Sequence, residues 1–302
     1  MKERWLSIRR KIWLALATAA LACSAGCVHV SKKTNVPAAQ IRPLLESNKA
    51  DLISKYNQQA HAIQSINAGV TLTPKAGSQY SGVIEEYHEV NGFILAQRPA
   101  NIRVIGQAPV VKKNIFDMVS DGETFRIYIP SKNKFITGPD KFEKPADKPI
   151  ENLRPQHLLD AIFWKEIPEG RTVLFDESDD APNREYVLTV LQRASEGAAL
   201  EVESRIHFDR TALNVDEIET FHDGGRLDSI IHFQDWQPAG DAQYPHTITV
   251  GRPHDDYQLG IRVTKLAVNE TIAPERFHLA QPPGTELVEV DKLDTKDQGA
   301  KP

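Results

Sequence analysis

Cysteine is almost absent from this 302-residue sequence. The two cysteines, Cys23 and Cys27, both lie close to the N-terminus, and residues 28–302 contain none. A disulfide framework, a thiolate zinc site and a cysteine nucleophile are therefore excluded from the part of the chain that is predicted to fold. Long hydrophobic runs are absent too, because the uncharged segment at 12–23 is shorter than the ~20 residues that a membrane-spanning helix needs.

Positive charge and catalytic motifs are also lacking. The formal net charge of −5 argues against a nucleic-acid partner, and no G-x-S-x-G, H-E-x-x-H, P-loop or G-x-G-x-x-G motif occurs. Four histidines have an aspartate close by: His207 with Asp209, His222 with Asp223, His232 with Asp235, and His254 with Asp255. Each pair lies on the polar face of a predicted strand, and metal ligands would have to converge from several strands. We predict no catalysis, no metal site and no cofactor.

The N-terminus has the parts of an export signal. Residues 1–11 carry five basic side chains, residues 12–23 carry no charge, and the small residues 24–26 follow. The segment Ser24-Ala25-Gly26-Cys27 resembles the lipobox of bacterial lipoproteins, in which the signal is removed and the cysteine is acylated. Cys27 is the favoured lipidation site, because a glycine precedes it, and Cys23 is the alternative. An uncleaved N-terminal anchor is the third possibility.

The predicted anchor implies a location. Two or more acyl chains hold a protein stably on a membrane. The residue after the lipidated cysteine is Val28 for Cys27 and Ser24 for Cys23, and neither is the aspartate that retains lipoproteins of this class in the inner membrane. The resemblance therefore implies an exported, lipid-anchored protein of the outer membrane that faces the periplasm.

Four segments follow from composition and patterning. We predict a lipoprotein signal at 1–26, a polar, proline-containing tether at 27–47, one folded domain at 48–290 and a disordered polar tail at 291–302.

A single amphipathic helix should open the domain. Apolar residues recur at three- and four-residue spacings over Asp51–Ile66, with Asn48 or Ser47 as the N-cap. The predicted apolar stripe of this helix comprises Leu52, Ile53, Tyr56 and Ile63. We expect the helix to act as a lid on an open sheet, with few other tertiary contacts because its back is polar. A second, short helix is predicted at Arg154–Trp164.

The rest of the domain alternates with the period of β-strands. Asp121-Gly122 between two such runs predicts a hairpin, and Asp223-Gly224-Gly225 predicts another turn. Strands spaced by 8–14 residues predict one curved antiparallel sheet that is partly closed. The residues predicted to line its inner face are Phe125, Ile127, Ile129, Leu200, Val202, Ile206, Phe208, Ile231 and Phe233.

The order of elements resembles the LolA/LolB lipoprotein-carrier superfamily and its lipoprotein relatives. The likeness is carried by the segments Ala96–Asp117, Ser120–Gly138, Phe221–Trp236, Tyr244–Val250 and Val268–Val290. It implies a mainly β fold, an incomplete barrel covered by helices over a cavity for acyl chains. The lipobox favours the membrane-anchored receptor type over the soluble carrier. Val110-Val111 is a loose counterpart of the receptor's exposed apolar loop.

The sequence is compatible with two functions. The first is the binding of a hydrophobic ligand, the acyl chains of a lipid or lipoprotein, in sorting to the outer membrane. The second is a structural or assembly lipoprotein that holds a protein partner, with the inner face filled by side chains. An empty apolar cavity would favour the first function, and a filled interior with an exposed apolar patch would favour the second.

Overall fold

The computed structural model describes residues 43–78, 83–86, 88–108, 112–140, 154–178, 184–194, 199–222 and 224–290. From Leu44 onwards the described residues belong to one compact unit. Cys23, Cys27, Val110-Val111, the predicted signal and the predicted tail lie outside the described residues. No helix in the described part of the chain is both long enough and apolar enough to cross a membrane.

Two helices and fifteen strands make up this unit. The helices are α1 (Lys49–Ala62) and α2 (Pro155–Ile162). The strands before α2 are β1 (Ser65–Ser78), β2 (Val83–Glu86), β3 (Val90–Gln97), β4 (Asn101–Gln107), β5 (Asn114–Ser120), β6 (Thr124–Ile129) and β7 (Lys134–Pro139). The strands after α2 are β8 (Thr172–Ser178), β9 (Glu185–Arg193), β10 (Leu200–Asp209), β11 (Val215–His222), β12 (Arg226–Ala239), β13 (Ala242–Arg252), β14 (Tyr257–Val268) and β15 (Glu286–Glu289).

All strands belong to one sheet. Its order is β15-β7-β6-β5-β4-β3-β1-β14-β13-β12-β11-β10-β9-β8, with β2 paired to the far end of β1. Strand β1 joins the two halves, because it pairs with β3 on one side and with β14 on the other. Every pairing is antiparallel except that of β15 with β7. The predicted fold is confirmed: the protein is mainly β, with a curved, non-closed antiparallel sheet and two helices.

Local sequence explains several element boundaries. Asn48 caps α1, since its Oδ1 accepts a hydrogen bond from the backbone N of Asp51 at 3.1 Å. Pro155 opens α2 at a position where its missing N–H costs nothing. The β5–β6 hairpin turns at Gly122, whose φ of +91° favours glycine.

Helix α1 ends four residues earlier than the sequence predicted. Ile63 is already extended, and Ile66 lies in β1 opposite Ala96 and Val268. The spacing of Ile63 and Ile66 fits a helix as well as a strand. Pairing of β1 with two neighbours satisfies backbone groups that a longer helix would have withdrawn from the sheet.

Side chains fill the inner face of the first half of the sheet. Ile94, Ala96, Ile102, Val104 and Met118 are all buried there. They belong to one hydrophobic cluster with the apolar side of α2, which comprises Leu158, Leu159, Ala161 and Ile162. The helix thus packs against β4 and β5.

A β-bulge changes the predicted facing of β10. Val202 pairs with Leu191 of β9, whereas Ser204 pairs with Val190, so Glu203 is an extra residue. A single extra residue turns the side chains of the preceding strand residues to the opposite face of the sheet. Ile206 and Phe208 are buried on the inner face, as their alternation predicts, but Leu200 is 53% exposed. The prediction that Leu200 and Val202 share the face of Phe208 is therefore wrong.

Candidate functional site

The second half of the sheet encloses a cavity of about 1020 Å³. Its apolar floor consists of one aliphatic side chain from each of four strands: Val190 of β9, Ile218 of β11, Ile231 of β12 and Val250 of β13. All four are buried, because alternation points them inward. Tyr56 of α1 and Trp164, which follows α2, form the aromatic end of the cavity.

The aromatic end is rigidly packed. The rings of Tyr56 and Trp164 stack with centroids 5.4 Å apart and planes 9° apart. Trp164 also meets Phe233 and Trp236 edge-on, at 5.1 and 5.8 Å. Such aromatic contacts add to the stabilisation from burial alone. Burial also raises the pKa of Tyr56, so its hydroxyl stays neutral at physiological pH.

Charged and polar side chains form the opposite side, which we call the polar wall. It comprises His157 and Asp160 of α2 together with Asp228, Arg252 and Asp255. The Arg252 guanidinium donates to Asp228 at 2.8 Å and to Asp255 at 2.6 Å. His157 Nδ1 lies 2.6 Å from the Tyr257 hydroxyl. Burial raises the pKa of Asp160 above its usual value.

The cavity lining is acidic as a whole. Its carboxylates are Asp140, Asp160, Glu166, Glu203, Asp228 and Asp255, whereas its Lys and Arg residues are Lys165, Arg226 and Arg252. Three buried acceptor atoms of lining residues, Asp140 Oδ1, Gln156 Oε1 and Glu203 Oε2, have no hydrogen-bond partner among the described residues. A buried acceptor without a donor is costly. These atoms have almost no accessible surface, so a ligand whose polar end donates hydrogen bonds would meet the other carboxylate oxygens of the lining.

The predicted cavity residues are divided between this site and the core. Ile231 lines the cavity, whereas Ile206, Phe208 and Phe233 are buried without lining it. Phe125 is buried in the first half of the sheet, where the Arg154 guanidinium lies 5.2 Å from its ring. Ile127, Ile129 and Val202 are half-buried away from the cavity, and Leu200 is exposed.

The predicted lid residues are mostly core residues. Leu52 and Ile63 are buried, Ile53 is half-buried, and only Tyr56 of these four lines the cavity. The wall that covers the floor is provided by α2 and by the residues that follow it, among them Trp164 and Ile167.

The polar back of α1 is bound to the rest of the fold. Lys55 Nζ donates to Ala212 O at 3.3 Å, and Gln59 Nε2 donates to Gln243 O at 2.6 Å. Asn57 makes two hydrogen bonds of 2.9 Å with the backbone N and O of Ile167. The expectation of few tertiary contacts is therefore wrong, since the glutamine-rich side of α1 hydrogen-bonds to backbone groups of distant segments.

Sequence reasoning missed the polar wall. It interpreted the histidines and aspartates of the second half as solvated surface, and it treated α2 only as a cover. The spacing of His157 and Asp160 is the sequence signal for the polar wall. The two residues lie three positions apart and therefore on one side of a helix whose other side is apolar.

The buried imidazole of His157 should make stability depend on pH. Burial, followed by the positive charges of Arg252 and Arg154, holds the pKa of His157 well below its usual value of 6.5. The folded protein keeps His157 neutral while the unfolded chain takes up a proton, so stability should fall as the pH drops below 6.5, by up to about 1.4 kcal/mol per pH unit. Urea denaturation at several pH values should show a weaker decline for His157→Gln. Equal pH dependence of the two proteins would contradict this assignment.

Comparison with known proteins gives structural neighbours only. No protein-family profile matches the sequence, and no curated protein matches it. A DUF1329 family protein from Desulfovibrio piger is 12% identical, with a TM-score of 0.49 over 76% of this chain and 95% of the other. A LolA superfamily protein from Nitrosomonas europaea is 10% identical, with a TM-score of 0.47 over 78% and 99% of the two chains.

A third neighbour is described as an outer-membrane lipoprotein-sorting protein domain, from Vibrio parahaemolyticus. It is 10% identical, with a TM-score of 0.46 over 75% of this chain and 94% of the other. These neighbours include a LolA superfamily protein, the group that the order of elements resembles.

Proposed function

We propose that this protein binds an amphiphile, with the acyl or alkyl chain on the apolar floor and the polar head at the polar wall. The observation that carries the proposal is the two-sided lining of the 1020 Å³ cavity. Binding sites of this kind combine an apolar surface with a few convergent polar groups. The resemblance implied an apolar cavity, whereas this cavity is polar on one side, and we assign that side to the head of the ligand.

The head should carry hydrogen-bond donors, preferably on an ammonium group. Carboxylates outnumber Lys and Arg residues in the lining, so a fatty carboxylate would meet repulsion at the polar wall. An ammonium group would instead meet carboxylate acceptors at the polar wall.

Lipids that co-purify with the protein test this proposal. Mass spectrometry of organic extracts should find an amphiphile with an ammonium or hydroxyl head, enriched over its share in the host membrane. In competition with a fluorescent alkyl probe, an alkylammonium should bind about tenfold more tightly than a fatty carboxylate of equal chain length, a difference of ~1.4 kcal/mol. Absence of any saturable amphiphile would favour the partner-binding scaffold instead.

The proposal includes membrane anchoring through the N-terminus. Acyl chains on Cys27 would hold the cavity at the membrane from which its ligand comes, in agreement with a role in moving lipids or lipoproteins to the outer membrane.

Cys27→Ser should abolish metabolic labelling with palmitate and leave the unprocessed precursor. Removal of the thiol removes the only acceptor for the first acyl chains at that position. Cys23→Ser is the matched control and should be labelled normally. Labelling that persists in Cys27→Ser and vanishes in Cys23→Ser would place the anchor at Cys23.

A further inference from the structure

A second group of polar side chains lies on the outer face of the sheet, opposite the cavity. His207 of β10 and Glu217 and Glu219 of β11 each offer a ligand atom, and these atoms all lie within 4.8 Å of one another. Ile218, between the two glutamates, points to the cavity floor. The group is therefore separated from the amphiphile site by the thickness of the sheet.

The strand register brings these residues together. His207 pairs with Glu217, Arg205 pairs with Glu219, and Glu217 pairs with His232 of β12. Directly opposed residues in an antiparallel pair have neighbouring side chains. A metal site needs ligands that converge from several strands. The pairing of β10 with β11 provides this convergence, which the sequence alone did not reveal.

The Nε2 atom of His207 faces the glutamates. His207 Nδ1 lies 3.1 Å from Glu185 Oε2, and a carboxylate can only accept, so the hydrogen is on Nδ1. In the neutral ring Nε2 then carries a lone pair. This atom is buried, has no hydrogen-bond partner among the described residues and lies 3.9 Å from Glu217 Oε1. Either a proton on Nε2 or a bound metal ion satisfies these facing atoms.

Each of the three groups is oriented by a further side chain. Glu185 holds the His207 ring, His232 Nδ1 lies 3.0 Å from Glu217 Oε2, and Arg205 Nη1 donates to Glu219 Oε2 at 3.2 Å. Metal-ligating histidines almost always donate their other ring N–H to a carboxylate or carbonyl, and ligating carboxylates are themselves hydrogen-bonded.

We propose that His207, Glu217 and Glu219 form a binding site for a divalent transition metal of the zinc type. One imidazole nitrogen with two carboxylates suits Zn²⁺ better than Mg²⁺ or Ca²⁺, which prefer oxygen ligands alone. Two carboxylates neutralise the charge of the ion. The side chains are partly exposed, so water completes the coordination. The ion would tie β10 to β11 behind the cavity floor.

Metal titration of the full-length chain, prepared without a histidine tag and treated with a chelator, tests the site. Calorimetry with Zn²⁺ should show one saturable site, which His207→Ala abolishes and Glu185→Gln weakens about 10–100-fold. His61→Ala should bind normally, because His61 is an exposed histidine paired with Glu166 and distant in sequence from the group. Co²⁺ should give a visible absorption band in the wild type that is absent from His207→Ala.

Thermal unfolding of the metal-free variants establishes that they fold. If His207→Ala is unfolded, Glu185→Gln and Glu217→Gln carry the test, since both keep the size of the side chain. Absence of saturable Zn²⁺ binding by the wild type would overturn the proposal. Binding of equal affinity and stoichiometry by the wild type and the folded variants would overturn it as well.

Discussion

Phe208→Ala should lower the free energy of unfolding by about 3–5 kcal/mol, the usual cost of removing a buried aromatic ring. Phe208 is fully buried in β10, opposite Tyr186 of β9, which is also fully buried. The truncation leaves a void that Tyr186 and the rest of the core fill only partly. Chemical denaturation monitored by circular dichroism measures the loss directly.

Leu200→Ala is the matched control in the same strand. Leu200 is exposed because the bulge at Glu203 turns it outward, so its truncation should change the free energy of unfolding by only about 0.5 kcal/mol. The simple alternation of the sequence places Leu200 and Phe208 on one face and predicts a similar large loss for both. A loss of several kcal/mol in Leu200→Ala would contradict the bulge.

Ile231→Trp should abolish binding of a fluorescent alkylammonium probe. Ile231 lies in the middle of the apolar floor, so a larger ring at this position occupies the space assigned to the chain of the ligand. Fluorescence titration should show no saturable binding up to the solubility limit of the probe. Retention of the thermal unfolding transition in this variant separates loss of binding from loss of the fold.

Ile230→Trp provides the control for the Ile231 variant. Ile230 is the preceding residue of β12 and points to the outer face, opposite Gly251 of β13. Its replacement adds the same ring to the same strand without entering the cavity, so affinity for the probe should stay unchanged. Equal loss of binding in both variants would show that the probe does not occupy the cavity.

Much of the fold was predictable because the relevant signals are local. The alternation of the second half does form strands, and the Asp121-Gly122 turn forms the predicted β5–β6 hairpin. The apolar side of α2 is buried as its spacing predicts. The end of α1 was mispredicted because pairing with strands distant in sequence decides the conformation at Ile66.

The candidate site was less predictable because it depends on non-local geometry. A single extra residue, Glu203, moves Leu200 and Val202 outward and brings Glu203 itself to the cavity. The floor takes one residue from each of four strands, and no sequence pattern shows which buried residues border a void and which touch a neighbour. Tyr56 and Ile231 were identified only as members of larger apolar faces.

Photo-crosslinking with an alkylammonium that carries a diazirine at the end of its chain shows whether the chain of the ligand lies on the apolar floor of the cavity. We expect saturable labelling of peptides containing Val190, Ile218, Ile231 or Val250, suppressed by an excess of the unmodified amphiphile. The exposed outer-face residues Leu174 and Leu200 should remain unlabelled. Labelling confined to the outer face, or labelling that no competitor suppresses, would contradict a ligand in the cavity.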